Sequence, residues 1–86
     1  MIMTIEEARD TLRVDGEDLD TVISPILEAI PSYLESTTGK TWDIEPIQPL
    51  ARQVSKFILM KWFDGTSDYD KTIDGLLVAL TAMGRE

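Results

Sequence analysis

The sequence contains neither cysteine nor histidine. Without cysteine the chain can form no disulfide and no thiolate metal site. Without histidine it lacks the commonest general base, the commonest metal ligand and the usual pH switch. An enzyme built on this chain would have to use carboxylates, lysines or hydroxyl groups alone, so we expect no catalytic residues, no metal and no cofactor.

Basic residues and long apolar runs are also scarce. Eight Lys and Arg against sixteen Asp and Glu give a net charge of −8, which repels nucleic-acid phosphates. No apolar run approaches the ~20 residues that span a bilayer. The acidic residues 1–10 lack the basic and apolar blocks of a signal peptide. We therefore expect a protein that is made in the cytoplasm and has no membrane partner.

The length is enough for one domain, which we place at residues 1–86. A domain of this size buries only about 60% of the surface that its unfolded chain exposes, so its own core is marginal. Association with other subunits is one usual remedy for such a core. Hydrophobic periodicity predicts an all-α fold, a small four-helix domain with a short extended connection between the second and third helices.

The first helix is predicted over residues 4–13, where Thr4 and Glu7 have the spacing of a capping box. The second is predicted to run to about Thr38, with Asp18 or Asp20 as its N-cap and Gly39 as the left-handed residue that ends it.

Two prolines interrupt the apolar stripe of the second helix. A proline inside a helix removes a hydrogen bond and costs about 3 kcal/mol or more. Either the helix is kinked at Pro25 and Pro31, or it begins only at Ser24 and Pro25, a good N-cap and first-turn pair.

The third helix, predicted over residues 49–63, is apolar nearly all round, which indicates burial on most sides. It follows a connection at residues 41–48, in which we expect Trp42 and Ile44 to pack. The fourth helix is predicted from Ser67 or Asp68 to about Met83. Three companion helices can hardly cover the third, so we expect part of its surface to contact a neighbouring subunit.

A subunit interface is therefore predicted on the third helix. Aromatic residues are enriched at interfaces, and the aromatic pair ends the helix. A lysine on an apolar helix is either a rim residue that reaches for solvent or a partner for acidic groups on an adjacent subunit. The predicted interface residues are Lys56, Leu59, Met60, Trp62 and Phe63.

Three motifs resemble sites of binding or catalysis, and each lacks a feature that such a site requires. Residues 39–41, GKT, end like a phosphate-binding loop, but Leu34 stands where that loop requires glycine. The acidic turn at residues 15–20 places Thr11 and Arg13 at the first and third ligand positions of a calcium loop. The carboxylates of Glu6, Glu7 and Asp10 lack the apolar surroundings in the sequence that are typical of catalytic acids and bases.

The order of features resembles the head–tail connector family of tailed phages. The chain opens with TIEEAR at residues 4–9 and LRVD at 12–15. Its second helix ends YLESTTGK at residues 33–40. An apolar helix that ends in an aromatic pair follows at residues 50–63, and the last helix carries LLVAL at residues 76–80. No single motif is specific; their order over nearly the whole chain carries the resemblance.

The resemblance implies an α-helical structural protein of the virion neck that has no catalytic residues. Members of that family form a homo-oligomeric ring of about a dozen copies beneath the portal vertex. The ring joins the DNA-filled capsid to the tail, through the portal protein on one side and a tail-side adaptor or tail terminator on the other. DNA is expected to pass through the ring without specific binding.

The alternative reading is an acidic helical binding protein unrelated to the virion, either a DNA mimic or a regulatory adaptor. A DNA mimic needs its charges in regular rows at phosphate spacing. Here seven of the sixteen carboxylates fall within residues 6–20, so the charge is clustered, which favours the ring subunit.

Overall fold

The computed structural model describes residues 2–84, and within them the chain folds into four helices with no β-strand. The helices are α1 (Ile5–Leu12), α2 (Asp20–Thr38), α3 (Pro49–Asp64) and α4 (Asp70–Gly84). α3 contacts each of the other three helices, and α2 does so too. The predicted all-α class is confirmed, with α2 and α3 as the central pair.

The capping box predicted for α1 is present. The Thr4 hydroxyl accepts a hydrogen bond from the Glu7 amide at 3.1 Å, and the Glu7 carboxylate accepts one from the Thr4 amide at 3.3 Å. Two of the free amides at the start of the helix are thereby satisfied. α1 ends at Arg13, which adopts the left-handed conformation with φ 58°.

α2 begins early and continues through both Pro25 and Pro31, so the later start at Ser24 is wrong. The predicted N-cap is also wrong: Leu19 occupies that position and makes no side-chain capping bond. The carboxylate of Asp20 accepts hydrogen bonds from the guanidinium of Arg9 instead. A strong tertiary partner has taken the place of the local cap.

Gly39 ends α2 as predicted, with φ 79°, and its amide donates to the Glu35 carbonyl at 2.8 Å. In the connection that follows, Trp42 is buried and its Nε1 donates to the Thr38 hydroxyl at 2.8 Å. Ile44 does not pack as predicted: 62% of its surface is exposed. The indole, with its hydrogen bond, holds the connection to the end of α2 without any contribution from Ile44.

The companion helices cover α3 better than the sequence suggested. Its buried residues are Ala51, Val54, Ser55, Ile58 and Leu59, and none of its large apolar side chains is exposed. The exposed large apolar side chains lie on other elements: Leu19, Val22, Ile44 and Val78. α3 therefore leaves a strip of half-buried side chains, and its contact with a neighbouring subunit stays a prediction.

The segment before α1 also belongs to the core, which the sequence analysis did not foresee. Ile2 and Met3 are each only 1% exposed. Met3 immediately precedes the N-cap, and Ala8, buried in the same cluster, is the fourth residue of the helix. This is the arrangement of a hydrophobic staple, which fixes the path of the chain into a helix.

α4 begins at Asp70, slightly later than predicted, and buries Ile73 and Leu80 of its apolar stripe. An ion pair between Lys61 and Asp70 ties the end of α3 to the start of α4. Phe57 packs against Tyr69 across the same junction, with ring centroids 5.6 Å apart.

Candidate interaction surfaces

The predicted interface residues divide into two groups. Leu59 is fully buried within the chain, at 0% exposure, so its side chain offers no surface to a second subunit. Trp62 is half-buried and packs edge-on against Tyr33, with centroids 5.2 Å apart and planes at 81°. This geometry is typical of a stabilising aromatic pair inside a fold. Trp62 therefore has a structural role between α2 and α3 whether or not it also meets a neighbour.

The other three residues lie on one face of α3. Lys56, Met60 and Phe63 have the i, i+4, i+7 spacing of a single helix face, and all three are half-buried. The buried positions of the helix lie on other sides of it. We call Lys56, Met60 and Phe63 the α3 outer stripe. All three side chains are partly accessible, although that of Phe63 also packs against the hydrophobic core of its own chain.

The outer stripe carries uncompensated positive charge. Lys56 takes part in no ion pair within residues 2–84, whereas Lys61 is paired with Asp70. The hydrogen bond that Lys61 donates to Asp70 raises the pKa of Lys61 above its ordinary value. Arg52, exposed beside the stripe, has its Nε 4.0 Å from the Glu7 carboxylate, at the limit of an ion pair. In a chain of net charge −8, Lys56 is a cation without an acidic partner among the described residues.

A groove of about 640 Å³ runs between the N-terminal segment and α2. We call it the N-terminal groove. Apolar side chains line it: Ile5 and Pro31 are half-buried and give it apolar surface, whereas Ile2, Met3 and Leu27 are buried. Glu6 from α1 and Glu28 from α2 are exposed and stand at its rim. The groove thus combines an apolar floor with an acidic rim.

An ion pair joins α1 to α2. Arg9 on α1 donates to Asp20 on α2 through two nitrogens, with the Nε to Oδ1 distance at 2.9 Å. Paired N–H donors of one guanidinium fit the two oxygens of a carboxylate. The hydrogen bonds from Arg9 hold the pKa of Asp20 below its ordinary value. This ion pair ties together the two helices that carry Glu6 and Glu28.

A second groove, of about 520 Å³, lies between the end of α2 and the outer side of α4. Its most prominent feature is Val78, which is 71% exposed. Asp74 and Thr37 provide its polar margin.

The described residues offer little for chemistry. Within residues 2–84 no group of three or more carboxylates is placed to hold a metal ion. Glu7 is committed to the α1 cap, while Glu6 and Asp10 are exposed. Over the same residues, no helix has the length and apolar character required to cross a bilayer. The arrangement provides surfaces that can bind another protein.

The N-terminal groove was missed by sequence reasoning, although a signal for it was present. Residues 2, 3 and 5 are apolar and surround the N-cap at Thr4. Read as a hydrophobic staple, this pattern predicts that the segment packs against the fold. The outer stripe, by contrast, was inside the predicted interface set, but it could not be separated from Leu59 and Trp62 on a helix that is apolar nearly all round.

Comparison of the chain with protein-family models, with curated proteins and with solved structures gives no significant match.

Proposed function

We propose that this chain is a structural subunit of a phage neck, a head–tail connector that forms a homo-oligomeric ring beneath the portal vertex and joins the DNA-filled capsid to the tail. It is proposed to act by binding and not by catalysis. Its proposed partners are copies of itself, the portal protein, and a tail-side adaptor or tail terminator.

The α3 outer stripe is the observation that carries the proposal. α3 contacts all three companion helices, and Lys56, Met60 and Phe63 form a strip along it that these contacts leave half-buried. A half-buried strip of Lys56, Met60 and Phe63 on so central a helix is suited to a neighbour that completes its burial. Apolar anchors of this kind dominate the energy of protein interfaces.

The size of the chain supports the same view. Its accessible surface is 5342 Å², and a standard contact takes about 800 Å² from each partner. Two neighbours in a ring would cover about 30% of the surface. Such contacts would substantially increase the buried area of a domain that buries only a marginal area on its own.

The charge distribution suits a passage for DNA. Most carboxylates near the N-terminus are exposed, among them Glu6, Asp10, Asp15, Glu17 and Asp18. A ring that presents such groups to its lumen would repel phosphate and let the duplex slide without adhering to the wall.

The test is to mix the purified chain with the portal protein encoded in the same genome. Multi-angle light scattering and negative-stain electron microscopy should show an added ring of about a dozen copies on the portal. A chain that stays monomeric with portal present at high concentration contradicts the proposal. Glu17→Ala serves as a control, because this exposed residue lies outside the outer stripe, and it should assemble like the wild type.

The alternative, an acidic binding protein that mimics DNA, predicts a different result. It would compete with DNA for a DNA-binding enzyme, and competition would be relieved by neutralising carboxylates of residues 6–20. The same experiment on Phe63→Ala separates the two functions. The ring subunit should lose assembly with this change, whereas a DNA mimic should keep its competition.

A further inference from the structure

The two surfaces described above are complementary to each other. The N-terminal groove has an apolar floor and the carboxylates of Glu6 and Glu28 at its rim. The α3 outer stripe has two apolar side chains and Lys56, which forms no ion pair with any residue from 2 to 84. No residue belongs to both surfaces, so one molecule can use both at once. The chain thus carries both halves of a possible contact.

We propose that the α3 outer stripe of one copy seats in the N-terminal groove of the next. Met60 and Phe63 lie on the apolar floor, and Lys56 meets the carboxylate of Glu28 at the rim. This inference rests on the proposed ring and names the contact that builds it. The occupant of the groove is a second copy of this chain.

Charge decides in favour of this pairing over a symmetric one. Two outer stripes placed face to face would bring Lys56 against its own counterpart. Two grooves placed face to face would do the same with Glu6 and Glu28. Like charges across an interface disfavour both arrangements. A stripe in a groove is the pairing that brings opposite charges together, and such a head-to-tail contact repeats into a ring when its rotation closes.

The absence of native cysteine allows a direct test. Under mild oxidation, the double variant Glu28→Cys with Met60→Cys should form a ladder of covalent oligomers on a non-reducing gel. A mixture of the two single variants should stop at the dimer, because each chain then carries only one of the two positions. Neither single variant alone should cross-link efficiently.

The matched control pairs Glu28→Cys with Val78→Cys. Val78 is 71% exposed, so its thiol would be at least as accessible, but it lies on α4 outside the proposed contact. A ladder from this control equal to that of the test pair would overturn the inference. So would the absence of a ladder from the test pair at high protein concentration, once circular dichroism has shown that the variant is folded.

A charge exchange tests the same contact without cysteine. Lys56→Glu or Glu28→Lys alone should weaken self-association at least about tenfold, because each places like charges opposite each other. Both changes on one chain should restore most of it. A double variant as weak as the single variants would overturn the inference.

The outcomes separate this inference from the proposed function. Rings on the portal without the Glu28 to Met60 cross-link would refute the contact and leave the connector intact. Cross-linked ladders from a chain that ignores the portal would refute the connector and leave the contact intact.

Discussion

Leu59 and Met60 are adjacent in the sequence, but their side chains point in different directions from α3. Leu59 is fully buried among the helices, whereas Met60 is half-buried on the outer stripe. Truncation of each to alanine therefore removes a similar volume of apolar side chain from two different environments. Comparing the two variants therefore shows how the cost of truncation depends on whether a side chain of α3 faces the core or the outer stripe.

The expected magnitudes differ. Leu59→Ala removes a side chain from a packed core and should cost about 2–5 kcal/mol. Met60→Ala removes a side chain that is already partly in water and should cost roughly 1–2 kcal/mol. A chain of this length has a total stability of about 4–13 kcal/mol, so the first change is severe and the second is tolerable.

Thermal unfolding followed by circular dichroism measures the difference. For a domain of this size, each kcal/mol lowers the Tm by about 4–8 °C, so Leu59→Ala should lower it by about 8 °C or more. Self-association, measured by sedimentation below both Tm values, should show the reverse order. Met60→Ala should weaken it more than Leu59→Ala.

Equal losses of Tm in the two variants would refute the reasoning, because they would mean that Met60 is as enclosed as Leu59. Wild-type self-association in Met60→Ala would leave the fold intact and remove the outer stripe from the interface. Gln53→Ala, an exposed change on α3, is the control and should alter the Tm by no more than about 2–4 °C.

Three other predictions follow from local contacts. Asp20→Asn should lower the Tm at neutral pH, because the variant loses the carboxylate that Arg9 binds. The difference in Tm from the wild type should shrink as the pH falls below about 4, because Arg9 depresses the pKa of Asp20 in the folded state and this stabilisation is lost when Asp20 is protonated. A difference in Tm that persists at pH 2 would contradict this. Thr4→Ala should cost about 1 kcal/mol in chemical denaturation through loss of the capping box, and no change would mean that the cap is dispensable. Gly39→Ala should lower the stability by about 1–2 kcal/mol, because a φ of 79° disfavours a side chain even though no atom lies within 4 Å of the added Cβ. Gly75→Ala, in the interior of α4 and equally open, should raise the stability by about 0.5–1 kcal/mol. Changes in stability of the same sign for both variants would contradict the conformational argument.

Local signals in the sequence were sufficient for much of the fold. The capping box at Thr4 and the left-handed Gly39 depend on neighbouring residues alone, and both are as predicted. The N-cap of α2 was not predicted correctly, because the Asp20 carboxylate can accept hydrogen bonds either from a local amide or from the guanidinium of Arg9, which is distant in the sequence. Sequence periodicity contains no information about that choice.

The continuation of α2 through its prolines has a similar explanation. Proline at position 25 removes the partner of the Thr21 carbonyl, and Thr21 is exposed, so water can replace the lost hydrogen bond. Proline at position 31 does the same to Leu27, and both residues line the open N-terminal groove. Burial of Ile23, Ile30 and Leu34 along the core-facing stripe of α2 outweighs the local penalty.

The candidate interface was predictable only as a set. Periodicity placed apolar residues on every side of α3, so it gave no way to tell the outer stripe from Leu59. The choice depends on where α1, α2 and α4 lie, and that is decided by contacts distant in sequence, such as the packing of Ile2 and Met3. The groove was missed because it exists only after that segment has folded against α2.

The two indoles of this chain report on different parts of it. Trp42 donates a hydrogen bond to Thr38 and lies under the Lys40 ammonium at 5.1 Å, so its emission should follow the connection after α2. Trp62 rests against Tyr33, so its emission should follow the seam between α2 and α3. Replacing either indole with phenylalanine leaves a single fluorophore, and the chain then provides an intrinsic optical probe for one region at a time.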